Sequence, residues 1–370
     1  MKTPIYLDYA ATTPVDKEVL SAALPFYTQS FYNPSSSHAL GQKAAAAVDF
    51  AREKCAAAIN ASPSEIYFTS GGTEAINWAM SGLPHNKKHV VVSAIEHDAV
   101  MACAKRFTEN GCDVDFVKPD EHGIIRADAL KSVLRESTGL VCVMTVNNIV
   151  GSIQPIKELA LAAHEVGALF FTDAVQAVNS IDIDAKYTDV DMLAVSGHKF
   201  YAPKGIGLLY VKRGLSVKPF MVGGEQERGM RAGTVDVPSV VAMGVAIEMA
   251  QKNVQEYNAH ASEVANAFTS LLKFGNVVQC ENKTADIISI VFDGVNGGRL
   301  AIALSCSGVC CSVGSACSAG SATPPQTLIE MGVKNADCAV RFSFGKNTTV
   351  TSAKTAAQIV NTTVKRLMRV

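Results

Sequence analysis

Residues 191–207 read DMLAVSGHKFYAPKGIG. DMLAVS (191–196) is apolar on both faces, as a strand inside a parallel sheet must be. Ser196, Gly197, His198 and Lys199 follow at once, so a lysine stands at the mouth of an apolar sheet. A lysine there can lose part of its basicity and act as a Schiff-base nucleophile. The alternative, a side chain snorkelling to the surface, carries weight for Lys204 but little for Lys199.

The same grammar extends outward from this stretch. EIYFTS (65–70), HVVVSA (89–94), DVDFV (113–117), LVCVMTV (140–146), ALFFTDA (168–174) and IGLLYV (206–211) read as further strands. Helical patterns lie between them, including Thr73–Ser81, Ala99–Glu109 and Ile156–Glu165. That succession predicts an α/β fold with a mostly parallel seven-stranded sheet flanked by helices. A long helical stretch over 239–273, broken once, leads to a different rhythm. IISIVFDG, a helix from Gly298 to Ser305, a cysteine-rich segment, a helix near Gln326, VRFSFG and a final helix predict a smaller α+β domain. The expected division is 14–254 for the large domain and 1–13 with 255–370 for the small one.

Composition narrows the classes. The chain has 370 residues, 48% of them hydrophobic and 18% charged, with net charge −1. Without basic runs, nucleic acid is not an expected partner. The apolar stretch from Val237 to Ala250 is too short to span a bilayer, and Met1–Pro4 opens no hydrophobic leader. A cytoplasmic location without membrane contact is therefore expected, where cysteines stay reduced.

Ligands of a parallel sheet bind at the carboxyl ends of its strands. In FTSGGTEA (68–75), two glycines turn the chain and Thr73 opens a helix whose free N–H groups favour an anion such as phosphate. Taken alone, that motif is better explained as a plain turn capped by Thr73. In TDAVQA, Asp173 ends a buried strand, where an unpaired carboxylate costs several kcal/mol, so it needs a partner. A protonated pyridine nitrogen would serve, as would a helix cap or an ion pair. An anion cradle, a buried acid and a strand-end lysine together match the needs of pyridoxal 5′-phosphate (PLP).

CSGVCCSVGSAC (306–317) holds four of the chain's ten cysteines. The spacing matches no zinc signature, and no metal site is expected. A reactive thiol or a set of inert cysteines remains. Cys310 and Cys311 continue the apolar run from Val309 and are expected in the core, with Cys306 structural at a helix end. Cys317 lies in a Gly/Ser/Ala segment (312–322) without period, which reads as a mobile loop.

The ordered blocks YLDYAATTPVD (6–16), NPSSSH (33–38), FTSGGTEA (68–75), EHDAV (96–100), VNN (146–148), TDAVQ (172–176), SGHKFYAPKGIG (196–207), ERGMRAGT (227–234), GSACSAG (314–320) and RFSFG (341–345) run nearly end to end. On them the chain resembles the group I cysteine desulfurases, fold type I PLP enzymes of the class V aminotransferase family that serve iron–sulfur cluster and nitrogen-fixation systems. The resemblance implies that Lys199 holds PLP covalently, Asp173 pairs with the ring nitrogen and Gln176 contacts the ring hydroxyl. It puts His97 on the ring face, Asn148 near the ring oxygen and substrate, and Gly72, Thr73, Ser196 and His198 on the phosphate. Thr234 would reach the phosphate of a neighbouring subunit, which implies a homodimer. Arg341 would bind the carboxylate of L-cysteine, since its planar fork suits one. Cys317 would be the nucleophile that takes up sulfur as a persulfide and passes it to an acceptor such as an iron–sulfur scaffold protein.

Two positions depart from the family pattern: Ile149 replaces an acid in NNIVG, and Glu225 a glycine in GGEQE. The C-terminus is also shorter than in housekeeping members. A selenocysteine lyase, another class V enzyme or an inactive paralogue with an interaction or metal-carrying role are the alternatives.

Overall fold

The structure is a computed structural model that describes residues 4–82, 87–314 and 324–368. A two-residue strand, β1 (Ile5–Tyr6), comes first. The main sheet is then built from β2 (Ile66–Thr69), β3 (His89–Ser93), β4 (Asp113–Val117), β5 (Thr138–Cys142), β6 (Leu169–Asp173), β7 (Met192–Ser196) and β8 (Gly207–Val211). Their spatial order is β2-β8-β7-β6-β5-β3-β4. The block from β7 to β4 is parallel, and β8 runs antiparallel to both β7 and β2. Every residue of β3, β7 and β8 is buried, which is why these strands read as unbroken apolar runs rather than as alternating ones.

Each face of this sheet carries its own core. On one side, Val141, Phe170, Leu193 and Leu208 pack with Val48, Leu159 and Met243 of the covering helices. On the other, Val92, Cys142, Phe171 and Leu209 meet Trp78 and Phe107. The expected strand over 140–146 is cut short: β5 ends at Cys142. Beyond it the Met144 amide donates to the Glu96 carboxyl group and that of Thr145 to the Asp173 carbonyl, while Val146 bridges to Ile153. The predicted break in the long helix falls at Asn253, between Val237–Lys252 and Val254–Thr269.

The remaining strands are β9 (Asn276–Val277), β10 (Ile287–Val291), β11 (Val309–Cys310) and β12 (Ala339–Ser343). β10 is central in an antiparallel sheet between β12 and β9, and β1 pairs in parallel with β11. Leu7 packs with Phe268, Phe292, Phe342 and Phe344 in the core of this part. Among the described residues no helix is long and apolar enough to cross a membrane.

One loop is fixed by charge. Glu227 and Arg228 hold left-handed backbone, with φ of 48° and 60°. The buried Glu227 carboxylate accepts from both Nη atoms of Arg52, at 2.6 and 2.7 Å, and from the Phe68 amide. Two non-glycine residues in that backbone region are strained, and this ion pair is what holds them. Removing one partner of a buried pair strands the other, so Arg52→Ala should cost about 3–5 kcal/mol. Denaturant unfolding of the two proteins checks this.

Candidate active site

One cavity opens at the carboxyl ends of the main-sheet strands. Most of the residues singled out in the sequence line it: Gly72, Thr73, His97, Asn148, Asp173, Gln176, Ser196, His198, Lys199 and Arg341. Each reaches it for a local reason. β2 ends at Thr69, and the helix Gly72–Ser81 starts with Gly71 at its cap and no side-chain capping bond. The first N–H groups of this ten-residue helix therefore face the cavity side unclaimed by a cap, an arrangement that favours an anion. A Cβ at Gly72 would stand 2.9 Å from Val175 Cγ2 and 3.4 Å from Ser196 Cβ, so only glycine leaves the cradle open. Behind it, Glu74 is clamped by Arg231 Nε and Nη2 at 2.9 and 3.2 Å. Burial alone would raise the Glu74 carboxyl, but the hydrogen bonds from Arg231 and Ser70 bring it below its ordinary value.

His97 caps the helix Asp98–Glu109, its Nδ1 accepting from the Ala99 amide at 3.1 Å, which fixes the ring against the cavity. Asp173 closes β6 and is 3% exposed. Its Oδ1 accepts from the Val175 amide at 2.9 Å. Burial pushes this carboxyl up, opposed by the His97 ring, the Val175 amide and the Lys199 ammonium. Lys199 sits in a short 3₁₀ turn after β7, and its Nζ donates to the carbonyls of Ala10 at 2.5 Å and Ala11 at 3.0 Å. Gln176 Nε2 donates to the same Ala10 carbonyl at 2.8 Å. The His198 ring is pulled down to about 4 by burial, with Lys199 and Lys204 adding to it, so it is neutral near pH 7.

On the far wall, Arg341 is 2% exposed. Its Nη1 donates to the Asn148 carbonyl and its Nη2 to Asp8, each at 2.8 Å. Arg341 Nε is buried without a partner among the described residues. A planar donor left unsatisfied beside a cavity suits an incoming carboxylate.

Thr234, expected to reach a neighbouring subunit's phosphate, and Cys317 complete the expected set. Thr234 is exposed and does not line this cavity. Cys317 lies outside the described residues. The structure also corrects the reading of its neighbours. Cys306 ends the helix Gly297–Cys306 but is exposed, because its helix face looks outward. Cys310 and Cys311 are half-buried rather than core residues. Burial pushes the Cys311 thiol up to about 12, Asp8 and Cys310 adding to the rise and Arg341 opposing it. Ile149 packs with Val150, Leu328 and Met331, so an apolar residue fits where the family has an acid. Glu225 is exposed and does not line the cavity.

Sequence reasoning did not single out Ala10 and Ala11, whose carbonyls hold the lysine, or Asp8, Met144, Val175 and Ile76 in and behind the walls. Backbone carbonyls leave no side-chain signature. The only available signal was the block YLDYAATTPVD (6–16) as a whole.

The donor set fits PLP. The open helix start and the Gly72 cradle suit its phosphate. A buried carboxyl raised by burial favours a proton-bearing partner such as the ring nitrogen. The lysine amine is already oriented by two carbonyls. The comparisons with known proteins agree. The family model described as aminotransferase class-V matches residues 5–354. A cysteine desulfurase IscS of Clostridium botulinum (strain Kyoto / Type A2) is 39% identical over 362 residues, covering 94% of this chain and 91% of its own. Among solved structures, a NifS-like protein superposes with a TM-score of 0.93 at 31% identity, covering 99% of this chain and 100% of that one. SspA in complex with cysteine gives 0.81 at 34% identity, covering 93% and 100%. A match of that length, on a chain whose strand ends converge as this one's do, places it in the class-V aminotransferase family, among the PLP-dependent cysteine desulfurases.

Proposed function

We propose that this cysteine desulfurase takes the sulfur of L-cysteine through Lys199 and Cys317, leaving L-alanine and a persulfide on Cys317. The observation that carries the reading is the convergence of Lys199, Asp173, His97 and the Gly72 helix start on one cavity. Bound PLP supplies an electron sink for charge developing at the substrate Cα. Lys199 would hold the cofactor covalently and is the base that would move the substrate α-proton, with His97 as the other group on this cavity able to do so. Asp173 would keep the ring nitrogen of a bound PLP protonated, and Gln176 and Asn148 would serve its ring oxygen. Thr73, Ser196 and neutral His198 hold the phosphate with the backbone at Gly72. Arg341 takes the substrate carboxylate, with Nε as its spare donor. The Cys317 thiolate attacks the substrate sulfur: a new S–S bond forms as the Cβ–S bond breaks.

In this reading residues 14–254 form the PLP-binding domain, and 1–13 with 255–370 the smaller one. The persulfide passes to an acceptor such as an iron–sulfur scaffold protein in the cytoplasm. Incubating the purified protein with L-cysteine and a thiol reductant tests the chemistry. Alanine and sulfide should appear in equal amounts, and the absence of alanine would sink the reading.

The enzyme works as a homodimer, with Thr234 reaching the neighbouring subunit's phosphate. Phe220, Met221 and Val222 support this. They are exposed, Val222 at 88%, and Met221 bridges to Arg231 just before Thr234. Cofactor affinity should therefore fall as the protein is diluted into monomers. Full cofactor retention in a preparation shown to be monomeric by sedimentation would refute it.

A further inference from the structure

Glu96, immediately before His97, is a buried carboxyl that the chemistry above does not use. It is 9% exposed and lies in the turn between β3 and the helix that His97 caps. Its two oxygens are treated very differently. Oε1 accepts two short hydrogen bonds, from Ser93 Oγ at the end of β3 and from the Met144 amide just beyond β5, each at 2.6 Å. Oε2 is buried with no hydrogen-bond partner among the described residues. No lysine, arginine or histidine of the described residues forms an ion pair with Glu96. An ionised carboxylate spreads its charge over both oxygens and needs partners for each. A neutral acid needs donors at its carbonyl oxygen, which is what Oε1 has, and it leaves at Oε2 a single uncharged O–H rather than a share of a negative charge.

We propose that Glu96 is a positioning residue of the cofactor site that works as a neutral acid, tying the ends of β3 and β5 so that His97 and Met144 hold their wall of the cavity. The proposal rests on the reading that this cavity holds PLP beside His97. The bond to Met144 joins the turn that carries His97 to the segment that carries Met144, and both residues line the cavity. Asn147 adds a second tie, its Nδ2 donating to the Ile95 carbonyl at 3.0 Å. Burial pushes the Glu96 carboxyl up to about 8, the bonds from Ser93 and Met144 opposing it and Asp173 adding to it. The titratable groups facing it are Asp173 at the end of β6 and Cys142 at the end of β5. Were Glu96 charged, it would be a second anion near Asp173. Held neutral, it leaves Asp173 as the carboxylate charge available to the ring nitrogen.

Glutamine reproduces the neutral acid's shape and its carbonyl acceptor, so Glu96→Gln discriminates. Its kcat/KM and the absorption spectrum of its bound cofactor should stay close to wild type. Glu96→Ala removes the tie, and misplacement of the wall should lower kcat about a hundredfold, more than it changes KM, with an altered cofactor spectrum. Infrared spectra near pH 7 should contain a protonated-carboxyl band that Glu96→Gln abolishes. That band is also read in cofactor-free protein, so it stands or falls independently of the proposed chemistry. If Glu96→Ala does not fold, the glutamine variant and the infrared band still decide. Glu96→Gln as damaged as a lost tie, an absent Glu96 band, or a folded Glu96→Ala with wild-type kinetics and spectrum would each overturn the proposal.

Discussion

Lys199→Ala should leave no covalent link between cofactor and protein and should abolish alanine formation. Two backbone carbonyls, those of Ala10 and Ala11, aim the Lys199 amine, and an alanine there offers nothing to form the link. The phosphate cradle is untouched by this change, because it is built from the helix start at Gly72 and from Ser196. The variant should therefore still take up PLP, weakly and removably by dialysis. The activity loss should be at least about 10⁴-fold, since both the anchor and the group that moves the α-proton go together. Borohydride treatment followed by mass spectrometry checks the assignment. A reduced adduct on another lysine would mean that Lys199 is not the anchor.

Cys317→Ser should stop desulfuration while leaving cofactor and substrate binding in place. Arg341, Asn148 and the residues of the cradle do not depend on that side chain, so the spectral change caused by added L-cysteine should persist. A serine hydroxyl is a far weaker nucleophile near neutral pH and forms no persulfide. After a pulse of cysteine, the wild-type peptide containing Cys317 should carry the extra sulfur. Cys306→Ser, Cys310→Ala and Cys311→Ala should keep most activity and cost about 1 kcal/mol or less of stability. The exposed Cys306 should cost least. The half-buried Cys311 thiol, pushed up by burial and so protonated near pH 7, is a poor nucleophile even though it lies near Arg341. Stable sulfur on Cys310 or Cys311, or wild-type turnover by the serine variant, would move the nucleophile elsewhere.

The main sheet was legible because its strands are buried on both faces. A run such as Met192–Ser196 can then be read without knowing its neighbours. The polar residues at the strand ends were legible for the complementary reason: Asp173 and Lys199 break apolar runs where nothing structural requires a charge. What stayed hidden depends on pairing across the chain. The helices Lys17–Thr28 and Ala39–Ala58 cover the sheet without belonging to the strand–helix alternation, and the second is rich in alanine with no sharp apolar stripe. The ending of β5 at Cys142 is set by the carboxyl group of Glu96, 46 residues earlier by numbering, which no local pattern records. Asp8 against Arg341 is a meeting of residues 333 positions apart.

That last distance bears on how the enzyme is made. The segment that supplies the Ala10 and Ala11 carbonyls is synthesised before any strand of the main sheet. It is held by the Gly308 and Cys310 carbonyls, which accept the amides of Ile5 and Leu7, and by Ser343, whose hydroxyl accepts the Ala10 amide. Those partners are synthesised only after the last strand of the main sheet. The parallel sheet can begin to assemble as its strands emerge, since domains fold as units during synthesis. The Ala10 and Ala11 carbonyls that hold Lys199, just after β7, are nevertheless not fixed until these distant segments meet, and contacts of such sequence separation form late. A nascent chain truncated before residue 309 should therefore contain a folded sheet that does not capture the cofactor covalently.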